Sequence, residues 1–547
     1  MSTAKQGAPA GNGAGARTEY DVVVIGAGFA GIYMLHRLRG MGLSARLYEA
    51  GDGAGGTWYW NRYPGAACDI ESLEYSYSFS EELQQEWKWS TRFARQPEIL
   101  AYINHVVDRF ELRRDMQFNT RVTAAVFDEA AQRWRVSTDQ GERISAQFCV
   151  MATGCLSAPK PIEYPGAQDF GGRIFHTAHW PKEPVDFSGQ RVGVVGTGSS
   201  AIQCIPLIAE QAAHLHVFQR TPNFSVPAGN RPMDPDYERS VKARYAALRH
   251  KEFHSDAGIV AMLDPQTQSA LQATPEERQR EYETRWQAGG LYFYGSYVDL
   301  LVNREVNEEL AEFARRKIRQ KVRDPQVAEL LCPKGYPFGA KRICADTGYF
   351  ETFNRDNVSL VDIRKTPIRG LTRKGLQVGD TEYPLDCVIF ATGFDAMTGA
   401  LLNIDIRGRG GRTLRQKWAE GPRTYLGLMT EGFPNLFITT GPGSPSVLFN
   451  MVLGNEYHVN WITDCIAYLR SHGRGAIDAT AGAEQDWCAH VNAVGEQTLF
   501  PQANSWYLGD NVPGKPRVIL PYLGGFRAYS QKCEESAARD YEGFALS

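Results

Sequence analysis

Apolar residues along this chain gather in short β-branched runs that stop at glycine. In YDVVVIGAGFAGIYMLHRLRGMGLSARLYEA, the run Val22 to Ile25 is followed by Gly26, Gly28 and Gly31 and then by apolar positions at helical spacing. This predicts a strand, a tight turn, a helix and a second strand ending at Tyr48. The stretch RVGVVGTGSSAIQCIPLIAEQAAHLHVFQRTP repeats the pattern, with Val192 to Val195 as strand, Gly196 and Gly198 in the turn and Ala201 as the small third residue. Two further runs, FCVMATG (148–154) and DCVIFATGFD (386–395), read as buried strands that stop at small-residue turns. Farther on, Val306, Leu310, Phe313, Ala314, Ile318 and Val322 share one helical face, with Pro325 as the stop.

The placement of these runs predicts a discontinuous organisation. A lead-in over 1–19, rich in Gly and Ala, is expected to be disordered. A first module is expected over 20–155 and 391–547, a second over 156–229 and 333–390, and a helical subdomain over 230–332. The fold class is α/β, with two Rossmann-like dinucleotide-binding domains and a helical insert in the second.

Composition narrows the function classes. The 547 residues are 43% hydrophobic and 22% charged, with a net charge of −3, so no basic surface favours nucleic acid or an acidic membrane. No apolar run approaches the eighteen or so residues that cross a bilayer, and the lead-in lacks the apolar core of a signal peptide. The ten cysteines include no C-x-x-C pair, a pattern that suits reduced thiols in a cytoplasm and argues against a dithiol reductase.

The chemistry of the two turns follows from their geometry. Gly26 permits the bend, Gly28 lets backbone approach a pyrophosphate, and Gly31 allows the helix to pack closely; the helix N-terminus then faces the phosphates. Glu49 follows Gly26 by 23 positions and is placed to accept hydrogen bonds from ribose hydroxyls. In the second module the corresponding slot, 24 positions after Gly196, carries Arg220. A guanidinium pairs with a 2′-phosphate where a carboxylate would repel it, so the second module is expected to take NADPH, with Thr221 adding a hydroxyl. The alternative is that Arg220 merely ends a strand in solvent. Acid first and arginine second fits FAD as the tightly held cofactor and NADPH as the diffusible hydride donor.

FGGRIFHTAHWP, between the two modules, reads F-x-G-x-x-x-H-x-x-x-W-P as Phe170, Gly172, His176, Trp180 and Pro181. Together with GGTWYWNRYPGAACDIES from Gly55, QPEILAYINHV from Gln96, VFQRTPN from Val217, AKRICADTGYFETFNRDNV from Ala340 and NSWYLGDNVPGKPR from Asn504, it resembles the Baeyer–Villiger monooxygenases, class B flavoproteins, over nearly the whole chain. That resemblance implies oxidation of a small, mostly apolar ketone by O2 to an ester or lactone through a C4a-peroxyflavin. It implies Arg342 as the catalytic arginine and Asp69 as the acid that orients it. Lys341 is implied as a second 2′-phosphate ligand beside Arg220. Gly196, Thr197, Gly198, Ser199 and Ser200 form the second phosphate turn, and Trp506 lies near the nicotinamide. Phe29, Thr57, Trp58, Tyr75 and Val122 surround the flavin, and Met451 lines the substrate pocket.

For the linker motif, His176 and His179 lack the further ligands a metal site needs, so no metal is expected. The expected role is a hinge in which His176 hydrogen-bonds backbone across the connection while Phe170 and Trp180 pack it. Two rival functions remain: a class B monooxygenase acting on amine or sulfide heteroatoms, and a nucleotide-binding redox sensor without turnover.

Overall fold

The computed structural model describes residues 18–547. The lead-in expected over 1–19 therefore lies outside the described residues except at its end, where Glu19 already opens the first strand.

A mixed sheet with a parallel centre and an all-parallel sheet form around the two glycine turns. In the first, Glu19–Ile25 is flanked by Ala45–Tyr48 on one side and Arg143–Met151 on the other, all parallel. Beside Arg143–Met151 the sheet forks: Arg133–Thr138 pairs antiparallel with its early residues, while Leu436–Ile438 pairs parallel with Cys149 to Met151. The second sheet runs in the order Val358–Asp362, His214–Gln219, Arg191–Val195, Cys387–Phe390, Arg173–His176, with every pair parallel. The central strands are continuously buried over Val192 to Val195, Cys387–Phe390 and the ends of Glu19–Ile25 and Arg143–Met151, whereas Arg133–Thr138 alternates buried and more exposed positions.

At both turns glycine is needed for the same reason. Gly26 and Gly196 have φ of 106° and 123°, and a Cβ on either would meet a carbonyl oxygen, of Ala152 or Ala391, at 2.5 Å. Each carbonyl lies one residue past the end of the strand next to the fingerprint strand, so the FCVMATG and DCVIFATG runs close the floors of the two turns.

The helices Pro235–Lys242, Tyr245–Phe253, Pro275–Ala288, Arg304–Lys321 and Pro325–Leu331 build the segment between the second module's halves. Pro325 does not only stop the preceding helix, as its position suggested; it occupies the first turn of the next one, where its missing N–H costs nothing. Although inserted in the second module by sequence, this segment shares most of its core with the first: Tyr245, Trp286, Phe293, Leu310 and Phe313 belong to one apolar cluster with Val22, Leu47 and Ile103. The helix Arg304–Lys321 bridges both cores, with Val306 to Ala314 in that cluster and Ile318 and Val322 in the second module's. The chain on either side of the insert is tied by a short parallel ribbon, Ser225–Pro227 with Cys344–Asp346, that brings the start and finish of the insert together.

Candidate functional site

The first glycine turn leads into the helix Phe29–Gly40, whose N-cap Gly28 offers no side-chain cap and leaves backbone N–H groups free to meet an anion. Glu49, buried at the end of the neighbouring strand, accepts from the backbone N–H groups of Ala27 at 2.9 Å and Gly51 at 2.8 Å. Its carboxylate is thereby fixed at the mouth of the turn with lone pairs left for ribose hydroxyls. Phe29 and Tyr75 meet edge to face at 5.5 Å, and Trp58 donates its indole N–H to the Tyr75 hydroxyl at 3.2 Å. Thr57 begins the short helix Thr57–Trp60 and is exposed, while Val122 is buried at the start of Val122–Asp128.

The second turn has the same construction. Gly198 caps Ser199–Gln211 without a side chain, and Thr197 donates its hydroxyl to the Thr221 carbonyl at 2.7 Å, tying the turn to the end of the adjacent strand. Ser199 lies 3.3 Å from the Cys344 thiol, and Ser200 is half-buried beside it. Arg220 is exposed and has no carboxylate partner among the described residues. Its charge acts on two half-buried lysines, Lys341 and Lys160, both of which burial first and Arg220 second push below the ordinary lysine value. None of these three cations forms an ion pair among the described residues, although Asp510 acts on Lys341, and together they can receive a multiply charged anion. The resemblance supplied Arg220 and Lys341; Lys160 was missed, because it sits in a loop with no pattern of its own.

Arg342 comes from the base of the helical insert, two residues before Cys344–Asp346, and Asp69 from the first module. Arg342 donates through Nε and Nη2 to the two oxygens of Asp69 at 2.9 and 2.8 Å, and through Nη1 to the Val447 carbonyl at 2.7 Å. Burial works to lower its pKa, but Asp69, with Tyr507 and Tyr294, outweighs burial and holds it above the ordinary arginine value. Val447 belongs to an apolar cluster with Met397, Phe500, Tyr507 and Leu520, against which Met451 and Trp506 pack. Residues more than 270 positions apart are thus gathered around one guanidinium, and Met451 and Trp506 lie on the same wall.

The linker motif departs from its expected role. His176 Nδ1 accepts from the Ala178 N–H at 3.1 Å, a local cap on the turn Thr177–His179 rather than a bond across the connection. Its longer reach is to the Thr392 hydroxyl at 3.5 Å, which joins the ends of two neighbouring strands of the second sheet. Burial, with His179 and Lys160, pushes its imidazole down to about 4, so it stays neutral. Phe170 and Trp180 do not pack around it together: Phe170 joins a core with Val195 and Phe218, and Trp180 one with Tyr63, Phe187 and Ile202. Gly172 precedes Arg173–His176, and Pro181 follows Trp180 on the surface near Arg62 and Gln96. The rings of His176 and His179 are 6.4 Å apart, and no third metal-binding side chain joins them among the described residues.

Residues 23–288 match the family described as pyridine nucleotide-disulphide oxidoreductase. An acetone monooxygenase (methyl acetate-forming) from Gordonia sp. strain TY-5 is 44% identical over 97% of this chain and 99% of its own. A phenazine N-monooxygenase from Lysobacter antibioticus is 40% identical over 97% of each. Among solved structures, an oxidised steroid monooxygenase bound to NADP is 53% identical and superposes with a TM-score of 0.93 over 97% of this chain and 99% of that one. OTEMO in complex with FAD and NADP is 42% identical, with a TM-score of 0.93 over 96% and 99%. No described helix is long and apolar enough to cross a membrane. Through similarity along nearly its full length, the chain belongs to the Baeyer–Villiger monooxygenases.

Proposed function

We propose that this protein converts a small, mostly apolar ketone into an ester or lactone, using NADPH and O2, with FAD held by 20–155 and 391–547 and NADPH by 156–229 and 333–390. The observation that carries this reading is the bidentate Arg342–Asp69 pair at the foot of an apolar wall that includes Val447 and Met451. FAD, once reduced by NADPH, supplies the activated oxygen that is inserted beside the carbonyl.

The protein's own residues have four tasks. Gly26, Gly28, Gly31 and Glu49 receive the pyrophosphate and ribose of FAD, and Phe29, Thr57, Trp58, Tyr75 and Val122 surround its ring system. Gly196 to Ser200 take the pyrophosphate of NADPH, while Arg220, Thr221 and Lys341 select its 2′-phosphate and Trp506 stands at the nicotinamide end. Arg342 stabilises the negative charge that develops on oxygen during insertion; being unable to give up a proton near neutral pH, it does so without quenching the oxidant. Asp69 fixes the plane of the guanidinium. The linker from Phe170 through Gly172 and His176 to Trp180 and Pro181 connects the two modules as a hinge. A cytoplasmic location is supported by ten free cysteines, nine of them buried.

A ketone panel with NADPH, scored for coenzyme consumption and for ester by mass spectrometry, tests this reading. Ester from at least one ketone is expected. The phenazine-oxidising relative gives the heteroatom reading a specific footing, and oxygenated amine or sulfide with no ester from any ketone would favour it. Bound flavin with no turnover of any of these would favour the sensor.

A further inference from the structure

Tyr507 is 1% exposed, yet its hydroxyl has no hydrogen bond of normal geometry among the described residues. A buried phenol ordinarily finds a partner, because burial strips it of the hydrogen bonds that water would give. Its backbone is firmly placed: Tyr507 N–H donates to the Ser505 hydroxyl at 3.1 Å, and its carbonyl accepts from Leu520 N–H at 2.9 Å. The ring is wedged between Trp506 at 4.2 Å and Phe500 at 5.4 Å. It belongs to the apolar cluster of Val447, whose carbonyl takes Arg342 Nη1, and Met451 packs on that cluster. The fixed phenol therefore carries an unspent donor into the wall where Arg342 ends.

We propose, on the reading above, that the Tyr507 hydroxyl donates a hydrogen bond to the carbonyl oxygen of the substrate, a second donor beside Arg342 for the oxygen that gains negative charge as the carbonyl carbon is attacked. Donation is the role its surroundings leave it. Burial pushes the phenol up to about 12 against the pull of Arg342, so it carries its proton throughout the neutral range. A cation beside the phenol oxygen also polarises the O–H bond and strengthens it as a donor. In an apolar wall no solvent competes for that proton, and the donor is in place before the reaction begins.

Tyr507→Phe removes the hydroxyl and keeps the ring. The expected result is a fall of about 100-fold in kcat for ester formation, the size associated with losing one such donor. KM for the ketone should change by less than about tenfold. Hydrogen peroxide released per NADPH should rise, because oxygen activation continues without a productive acceptor. NADP+ affinity and the rate of flavin reduction by NADPH should stay at wild-type values, and the melting temperature should not fall, since the hydroxyl gives its proton to no group among the described residues. A kcat within threefold of wild type overturns the proposal, as does a loss of ester formation accompanied by an equal loss of flavin reduction or NADP+ affinity. If the wild type itself makes no ester, the functional reading fails rather than this assignment.

Discussion

Arg342 spends three of its five N–H groups on Asp69 and Val447, which leaves two for reacting oxygens in a setting that keeps it charged. Arg342→Ala should leave flavin reduction by NADPH measurable while ester formation falls by about 100-fold or more; ester formation near the wild-type rate would remove the assigned role. Arg220 poses a different question, because its charge has no carboxylate partner among the described residues and weakens the hold of Lys341 and Lys160 on their protons. A cluster that repels itself is relieved by a phosphate. Arg220→Ala should therefore raise KM for NADPH by about 10- to 100-fold, for a loss of roughly 1.5–3 kcal/mol in a charge-assisted bond, and leave KM for NADH nearly unchanged. Equal effects on both coenzymes would reject 2′-phosphate recognition.

The helix Met451–Ser471 links the candidate pocket to the rest of the first module. Asn450 caps its start, and on its buried face His458 Nδ1 accepts from Thr440 N–H at 2.8 Å while Nε2 lies 2.8 Å from the Tyr529 hydroxyl. That ring joins the loop after Leu436–Ile438, the long helix and the helix Phe526–Ala538. Burial holds it down to about 3, below the 6.5 of a free imidazole. A depressed folded value means that the unfolded chain takes up the proton first, so the contribution is present above about 6.5 and is lost as pH falls toward 3, by at most about 1.4 kcal/mol per pH unit. His458→Asn keeps an acceptor for Thr440 but does not titrate. Urea midpoints at pH 7 and pH 5 should drop less in this variant than in wild type; parallel drops would assign the acid sensitivity to other groups.

At the scale of the whole molecule, the two modules meet through the stretch between Asp52 and Asp69. Tyr63 donates to Gln203 at 2.8 Å, Gln203 returns a bond to the Ala67 carbonyl at 3.0 Å, and Asp52 pairs with Lys182. Gly65 lies at the closest approach, with φ of 81° and a hypothetical Cβ 2.4 Å from the Gln203 carbonyl oxygen. Gly65→Ala combines left-handed strain with a backbone clash, and should cost about 1–3 kcal/mol. The expected signs are a lower melting temperature and weaker NADP+ binding with FAD retained, because the disturbed helix carries the second phosphate turn. An unchanged melting temperature would show that the junction gives way without cost. The helical insert adds a second tie, since Arg304–Lys321 places its first turns in one core and its last residues in the other.

The sequence alone made the two nucleotide turns legible, because each is local: a β-branched run, glycines that a close backbone requires, and an acid or arginine at the end of the next strand all lie within thirty residues. The family resemblance then pointed to Arg342 and Asp69, and the chain's membership follows from similarity along its length. What the sequence could not determine is which side chains share a wall. Tyr507 sits beside Trp506 in NSWYLG, but only the turn at Trp506–Leu508 decides that its ring enters the Val447 cluster. Lys160 has no pattern to reveal it, and it approaches Arg220 because its N–H is tied to Gly393, after Cys387–Phe390, at the same edge of the parallel sheet where His214–Gln219 ends. His176 was read as a bond across the hinge and is a local cap, since the nearest free N–H lay two residues away. Local spacing fixes a turn's backbone, and with it the pyrophosphate and ribose contacts. The joining of Arg342 to Asp69, and the placing of Met451, Trp506 and Tyr507 around them, waits for packing between segments hundreds of residues apart.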